Sequence, residues 1–206
     1  MPSQPFPFTL AGAAATIATL VLAAATTSSP VQAVDDAIER FVASRRAVLT
    51  PLARIGTLPG ERCIHPAIGA LSAAVILLAR RGSGIARVAL PLAAASLGAI
   101  IAHHAVKLVY RRPRPASALQ RGKTEAAFPS GHTADATAVV LTSAWLLVRE
   151  GLLPVNLALP AAIALALVTG ISRVALGWHW ATDVLGGWLT GIAVASQCVR
   201  LYEHLA

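Results

Sequence analysis

Charge is scarce in this chain: only 13% of its 206 residues are Asp, Glu, Lys or Arg, against roughly 25% in an ordinary soluble domain. So little charge cannot cover a water-facing surface around a core of ordinary size. Aromatic residues are also few, at 5%, and the two cysteines, Cys63 and Cys198, form no CxxC pair and stand in or beside apolar runs. That excludes a disulfide scaffold and a structural zinc site. Acidic residues are the scarcest charged class, nine against 17 Lys and Arg, for a formal net charge of +8. Such a balance would suit a nucleic-acid partner if the basic residues lay along one face among aromatics. They fall instead between apolar runs, the pattern of a chain that meets lipid head groups or an anionic substrate at a membrane surface, and no nucleic-acid partner is expected.

Hydrophobic residues make up 56% of the chain, arranged in six stretches at 10–27, 64–79, 88–106, 133–148, 151–171 and 184–199, the fourth interrupted by Asp135. Six such segments leave too little polar sequence to coat a soluble bundle. The fold expected is all-α: a six-span transmembrane helical bundle. Several stretches are shorter than the ~20 residues that a ~30 Å hydrocarbon core requires. Their helices must therefore extend into the flanks, or the shorter ones must pack inside the bundle. The first stretch, followed by Val31, Gln32 and Ala33, also fits a signal peptide with a small-residue cleavage site, but it lacks a basic leading region. Residues 1–33 are accordingly read as a retained N-terminal span, a signal anchor. Next come Val34, Ile38, Phe41, Val42, Val48, Leu49 and Leu52 at helical spacing, with Asp35, Asp36, Glu39, Arg45 and Arg46 between them. This predicts one amphipathic helix over 34–52, lying on the membrane or packed against the bundle. Short basic turns are expected at 80–84 and 149–151.

Three clusters carry the chemistry. At the end of the third span, Lys107 is followed by Arg111, Arg112, Pro113, Arg114 and Pro115. Cations at a membrane boundary commonly snorkel to head groups. The two prolines, however, stop the helix and fix the backbone around Arg114, as a guanidinium fork facing an oxyanion requires. The second cluster is Phe128-Pro129-Ser130-Gly131-His132. Ser130 is a good N-cap, and a helix starting there presents free N–H groups to an anion. The third runs from Ser172 and Arg173 through Trp178, His179 and Trp180 to Asp183. His179 and Asp183 are four apart, so on a helix they share a face and the carboxylate holds the imidazole, which makes a histidine a better nucleophile or base. The tryptophans mark the membrane interface. The topology of six spans places all three clusters on one side of the membrane.

Lys107-x6-Arg114-Pro115, Pro129-Ser130-Gly131-His132 and Ser172-Arg173-x5-His179-x3-Asp183 together resemble the three-part signature of the type 2 phosphatidic acid phosphatase family. Members include membrane lipid phosphate phosphatases, such as undecaprenyl pyrophosphate and phosphatidylglycerophosphate phosphatases, together with soluble acid phosphatases and vanadium haloperoxidases. The resemblance implies that residues 34–206 form a lipid phosphatase domain with five further spans. It implies His179 as nucleophile, Asp183 as the residue that orients it and His132 as the acid that protonates the leaving oxygen. Lys107, Arg114, Ser130, Gly131 and Arg173 would bind the phosphoryl oxygens, with no cofactor and no metal. The substrate expected is a phosphomonoester or pyrophosphate of a membrane lipid. A phosphotransferase that passes the phosphoryl group to a second lipid would use the same site, and a transporter lined by intramembrane His, Asp and Arg is the non-enzymatic alternative.

Two positions lie outside the signature. Asp135 either hydrogen-bonds His132 or reaches water near the helix start. Of His103 and His104, one is expected to pack in the bundle. Orientation is contested: twelve Lys and Arg fall on the motif side and five on the other, which by the positive-inside rule puts the motifs in the cytoplasm. The resemblance implies the extracytoplasmic side of a bacterial inner membrane.

Overall fold

Each of the six apolar stretches forms one helix in the computed structural model, which describes residues 8–80, 82 and 84–205. Arg81 and Ser83 of the expected basic turn, and residues 1–7 of the first segment, lie outside the described residues. Nine α-helices are present among those described: α1 (Phe8–Ala25), α2 (Ser29–Ala43), α3 (Arg46–Gly56), α4 (Ile64–Ala79), α5 (Ile85–Val109), α6 (Ala116–Leu119), α7 (Gly131–Arg149), α8 (Val155–Ala175) and α9 (Ala181–His204). The protein is an all-helical transmembrane bundle.

The length shortfall is met in both of the ways expected. Helices α5, α8 and α9 extend to 25, 21 and 24 residues, long and apolar enough to cross a bilayer by themselves. Helix α4 stays at 16 residues, and α7, at 19, is the centre of the bundle. It packs against α4, α5, α8 and α9, and residues 133–140 are buried without a break. This explains why the most polar of the six segments is tolerated in a membrane. Asp135, Thr137, Thr142 and Ser143 face neighbouring helices rather than lipid. The outward residues are the apolar ones: Leu78, Leu97, Ile101, Ile163 and Ile171 are all exposed on the helix exteriors.

Because lipid is as apolar as leucine, helices in a bilayer gain most from close approach, which small residues permit. Helix α9 meets α7 through Gly187 and Gly191. A Cβ added at Gly187 would stand 2.7 Å from the Ser130 carbonyl oxygen, and one at Gly191 2.5 Å from Thr137 Cβ. This glycine seam sets the start of α7 directly against the start of α9. Helix α1 packs along α9, where Gly12 leaves room for Ser196.

The single amphipathic helix expected over 34–52 is two helices. The chain breaks at Ser44 and Arg45, where Arg45 turns back to donate to the Phe41 carbonyl at 3.1 Å and stacks over the Phe41 ring. Helix α2 leaves α1 at a 90° bend. Val34, Phe41, Val48, Leu52 and Ile55 on α2 and α3 remain exposed on the outside of the bundle. Asp35, expected on the polar outer face, is instead buried against the bundle, 1% exposed.

Candidate active site

The three clusters meet at one end of the bundle. Lys107, in the last turn of α5, donates from Nζ to the Ala126 carbonyl at 2.6 Å. Past the end of α5, the segment with Pro113 and Pro115 runs without helix and presents Arg114. Its Nε donates to the Glu125 carbonyl at 2.9 Å, and its Nη1 to the Trp178 carbonyl at 3.0 Å and toward His179 Nε2 at 3.3 Å. Both cations thus reach across the segment 116–128 that links the first two motifs.

Ser130 is the N-cap residue of α7 by its extended backbone, though its hydroxyl makes no capping bond. The Oγ is fully buried and accepts from Thr133 Oγ1 at 2.9 Å. The Ser130 N–H donates to the Asp183 carbonyl at 2.9 Å, across the glycine seam. The missing side chain of Gly131 makes room for the His103 ring, 3.0 Å from where a Cβ would stand. His132 stands in the first turn of α7 with its ring partly exposed and its Nε2 3.2 Å from Glu61 Oε1.

Arg173, in the last turn of α8, donates from Nη1 to Thr57 Oγ1 at 2.9 Å, while its buried Nε has no partner. Gly177 then takes φ +65°, a left-handed conformation that ends α8 and that glycine adopts without strain. A Cβ there would also collide with Ser117 Oγ and the Arg46 guanidinium. This turn points His179 inward. Its pairing with Asp183 has a different origin from the shared helix face expected, because α9 begins only at Ala181. Asp183 folds back to accept the Trp180 N–H at 2.9 Å, which holds Oδ2 at 3.4 Å from His179 Nδ1. That separation exceeds the usual hydrogen-bond range, and no other acceptor meets Nδ1.

The two ring nitrogens of His179 are therefore distinguished. Nε2 faces Arg114, a guanidinium that can only donate, and Nδ1 faces the carboxylate, an arrangement that suits a ring with its proton on Nδ1. Burial holds His179 well below the ordinary histidine pKa, with Arg114, Arg173 and Lys107 adding repulsion. Both causes favour the neutral imidazole, with Arg114, Arg173 and Lys107 as the neighbouring cations.

Several residues at this site went unread in the sequence. Arg112, two residues before Arg114, donates from Nη1 to Asp183 Oδ1 at 2.7 Å and from Nη2 to Asp35 Oδ2 at 2.6 Å. Asp35 also accepts from the Thr182 N–H and hydroxyl. The charge of Asp183 is thus balanced by Arg112. Glu61, beyond the turn of 3-10 helix at Leu58–Gly60, is the partner of His132. Asp135 makes no bond to His132: it is buried, with Oδ1 3.4 Å from His103 Nε2. His103 is buried in the bundle and His104 is not.

At one end of a helical membrane bundle, a buried histidine thus stands beside a carboxylate and among three cations. The sequence profile of the PAP2 superfamily matches residues 88–205, which span all three clusters. Phosphatidylglycerophosphatase B of Bacillus subtilis (strain 168) is 30% identical over 183 residues, covering 84% of this chain and 85% of that protein. The crystal structure of the first transmembrane PAP2 type phosphatidylglycerolphosphate phosphatase from Bacillus subtilis superposes with a TM-score of 0.79 at 25% identity, covering 95% of this chain and 97% of that one. The chain belongs to the PAP2 superfamily. It is an integral-membrane hydrolase of lipid phosphates.

Proposed function

We propose that the protein removes the terminal phosphate of a membrane lipid, a phosphomonoester or pyrophosphate, through a phosphohistidine and without a metal ion. The observation that carries this reading is the orientation of His179, Nε2 toward Arg114 and Nδ1 toward Asp183. Nε2 attacks phosphorus as the bond to the lipid oxygen breaks, while Asp183 stabilises the positive charge that develops on the ring. Lys107, Arg114, Arg173, Ser130 and the Gly131 N–H at the start of α7 hold the phosphoryl oxygens. His132 gives its proton to the leaving oxygen. It then takes a proton from a water molecule, whose oxygen attacks phosphorus and releases phosphate and the free histidine. Arg114, Arg173 and Lys107 are the cations nearest His179, and on this reading they carry the charge stabilisation.

Both relatives are named for phosphatidylglycerophosphate, which makes it the first substrate to test. Residues 31–33, the alternative cleavage site, lie inside α2, and α1 packs on α9. These favour a first span retained as a signal anchor, ahead of a phosphatase domain over 34–206. The reading places the site on the extracytoplasmic side of a bacterial inner membrane. Lys107, Arg112, Arg114 and Arg173 are engaged in the site, which accounts for part of the basic excess there. The test is phosphate release by the purified protein in detergent with EDTA, together with isolation of a base-stable, acid-labile phosphoryl adduct lost in His179→Ala. An absolute need for Mg²⁺ refutes the mechanism.

A further inference from the structure

The reaction as proposed leaves two buried side chains without a role. His103 on α5 and Asp135 on α7 are 6% and 7% exposed, with Nε2 and Oδ1 3.4 Å apart. His103 Nδ1 and Asp135 Oδ1 have no hydrogen-bond partner among the described residues. Packing alone does not ask for such a pair. Elsewhere along the same two helices, Ala95 and Ala99 of α5 meet Ala138 and Val139 of α7 in one apolar cluster, and an apolar pair in place of a buried polar one is often as stable or more so. Buried polar groups left partly unsatisfied call for another explanation.

Their position supplies one. His103 and Lys107 are four apart on α5, and Gly131 and Asp135 are four apart on α7, so each pair shares one face of its helix. The edge of the His103 ring lies on Gly131: a Cβ added there would stand 3.0 Å from Cε1, 3.1 Å from Nε2 and 3.4 Å from Nδ1. The ring fills the space that the glycine leaves, and Asp135, one turn further along α7, stands behind its Nε2. One turn past His103 on α5, Lys107 reaches the Ala126 carbonyl at 2.6 Å. His103 therefore stands between two elements that would hold the phosphoryl oxygens, Lys107 on its own helix and the first turn of α7 across from it.

We propose that His103 and Asp135 are positioning residues, a buried strut that fixes the start of α7 against α5 so that the Gly131 N–H and Lys107 Nζ converge on one phosphoryl group, an inference that rests on the phosphatase reading and deepens it. Neither side chain touches the substrate. Asp135 backs the ring, the ring backs Gly131, and the N–H groups of that turn keep their aim. Without the strut, the first turn of α7 is free to settle toward α5 into the vacated space, and an error of about 1 Å in such a position costs up to about 10²-fold in rate.

The test replaces the pair with apolar side chains, His103→Leu together with Asp135→Val, and separately makes His103→Gln. For each full-length protein in detergent micelles, the melting temperature is read beside kcat and KM on phosphatidylglycerophosphate and beside inhibition by orthovanadate, which takes the five-coordinate shape of phosphorus under attack. A strut that serves alignment predicts that the apolar pair melts at the wild-type temperature or above, with kcat lowered about 10–100-fold. Vanadate inhibition should weaken by a similar factor, while KM moves by no more than about twofold. Wild-type kcat in the apolar pair overturns the proposal. Should the apolar pair lower the melting temperature, His103→Gln decides, because it keeps a donor toward Asp135 but not the ring against Gly131. Lower kcat and weaker vanadate inhibition at wild-type melting support the strut in that variant. Wild-type kcat, or a joint loss of kcat and melting temperature, overturns it and leaves the phosphatase reading intact. A wild type that releases no phosphate from any lipid phosphate overturns both.

Discussion

Arg112 is the residue whose loss should separate stability from catalysis. Its side chain is 8% exposed and grips two carboxylates that are 1% and 0% exposed, at 2.6 and 2.7 Å. Replacing it with Met leaves Asp35 and Asp183 without their shared cation. Removing one partner of a buried ion pair costs about 3–5 kcal/mol, and the cost stays near that range because Thr182 and Trp180 still donate to the two carboxylates. For a chain of this size that corresponds to a fall of roughly 6–20 °C in melting temperature. Turnover should fall as well, by about 10–100-fold, the usual effect of losing a group that positions a reacting histidine. The informative variant is the double one. Asp35→Asn in the Arg112→Met background removes one uncompensated carboxylate and should restore part of the melting temperature. It should not restore turnover, because Asp183 still lacks its clamp. Thermal melting in detergent and phosphate release from the same preparations give both quantities. Wild-type turnover in Arg112→Met, or recovery of turnover together with stability in the double variant, would refute the argument.

Other outcomes follow from the same geometry. His179→Ala should abolish turnover on every substrate, whereas His132→Ala should cost about 10²–10⁴-fold on a lipid alcohol and much less on an aryl phosphate, whose leaving group needs no proton. Equal losses on both substrates would remove His132 from the role of leaving-group acid. A lowered pKa means that His179 stays unprotonated as pH falls through the ordinary histidine range, so activity that depends on its neutral form should persist below about pH 6.5. Arg114→Gln removes one of the repelling cations and should move that acid limb to higher pH, alongside a lower rate; a limb displaced downward contradicts the assigned cause. Gly187→Ala forces a methyl against the Ser130 carbonyl and should destabilise by about 1–3 kcal/mol, read as a lower melting temperature, with Asp183 and Ser130 both disturbed. Unchanged melting and turnover would show that α7 and α9 have room to part.

The bundle was legible because its signal is local: each uncharged stretch is its own helix, and only the lengths needed the structure. The meeting of the three motifs was legible, down to the nearness of His179 and Asp183. Even there the nearness has a different origin from the one the spacing suggested, since a helix cap rather than a helix face brings the two together. What escaped was long-range. Nothing near Asp35 in sequence marks it as the partner of Arg112, 77 residues away, and an acid among apolar residues at helical spacing reads as a solvated face. Glu61 and His132 are likewise 71 residues apart. Asp135 went unassigned for a related reason: its neighbour His103 belongs to α5, and sequence reasoning weighed only partners on its own helix.

The glycine seam between α7 and α9 governs how positional error accumulates in the site. A reaction centre strung along several loops adds the play of every hinge to the distance between its groups. Here the start of α7 and the carboxylate beside His179 are separated by a single joint, with Gly187 against the Ser130 carbonyl and the Ser130 N–H on the Asp183 carbonyl. One tight joint keeps two groups within the roughly 0.5 Å that productive alignment demands. With the two starts joined at that contact, a displacement of α2, α3 or the segment 116–128 should leave their mutual alignment unchanged.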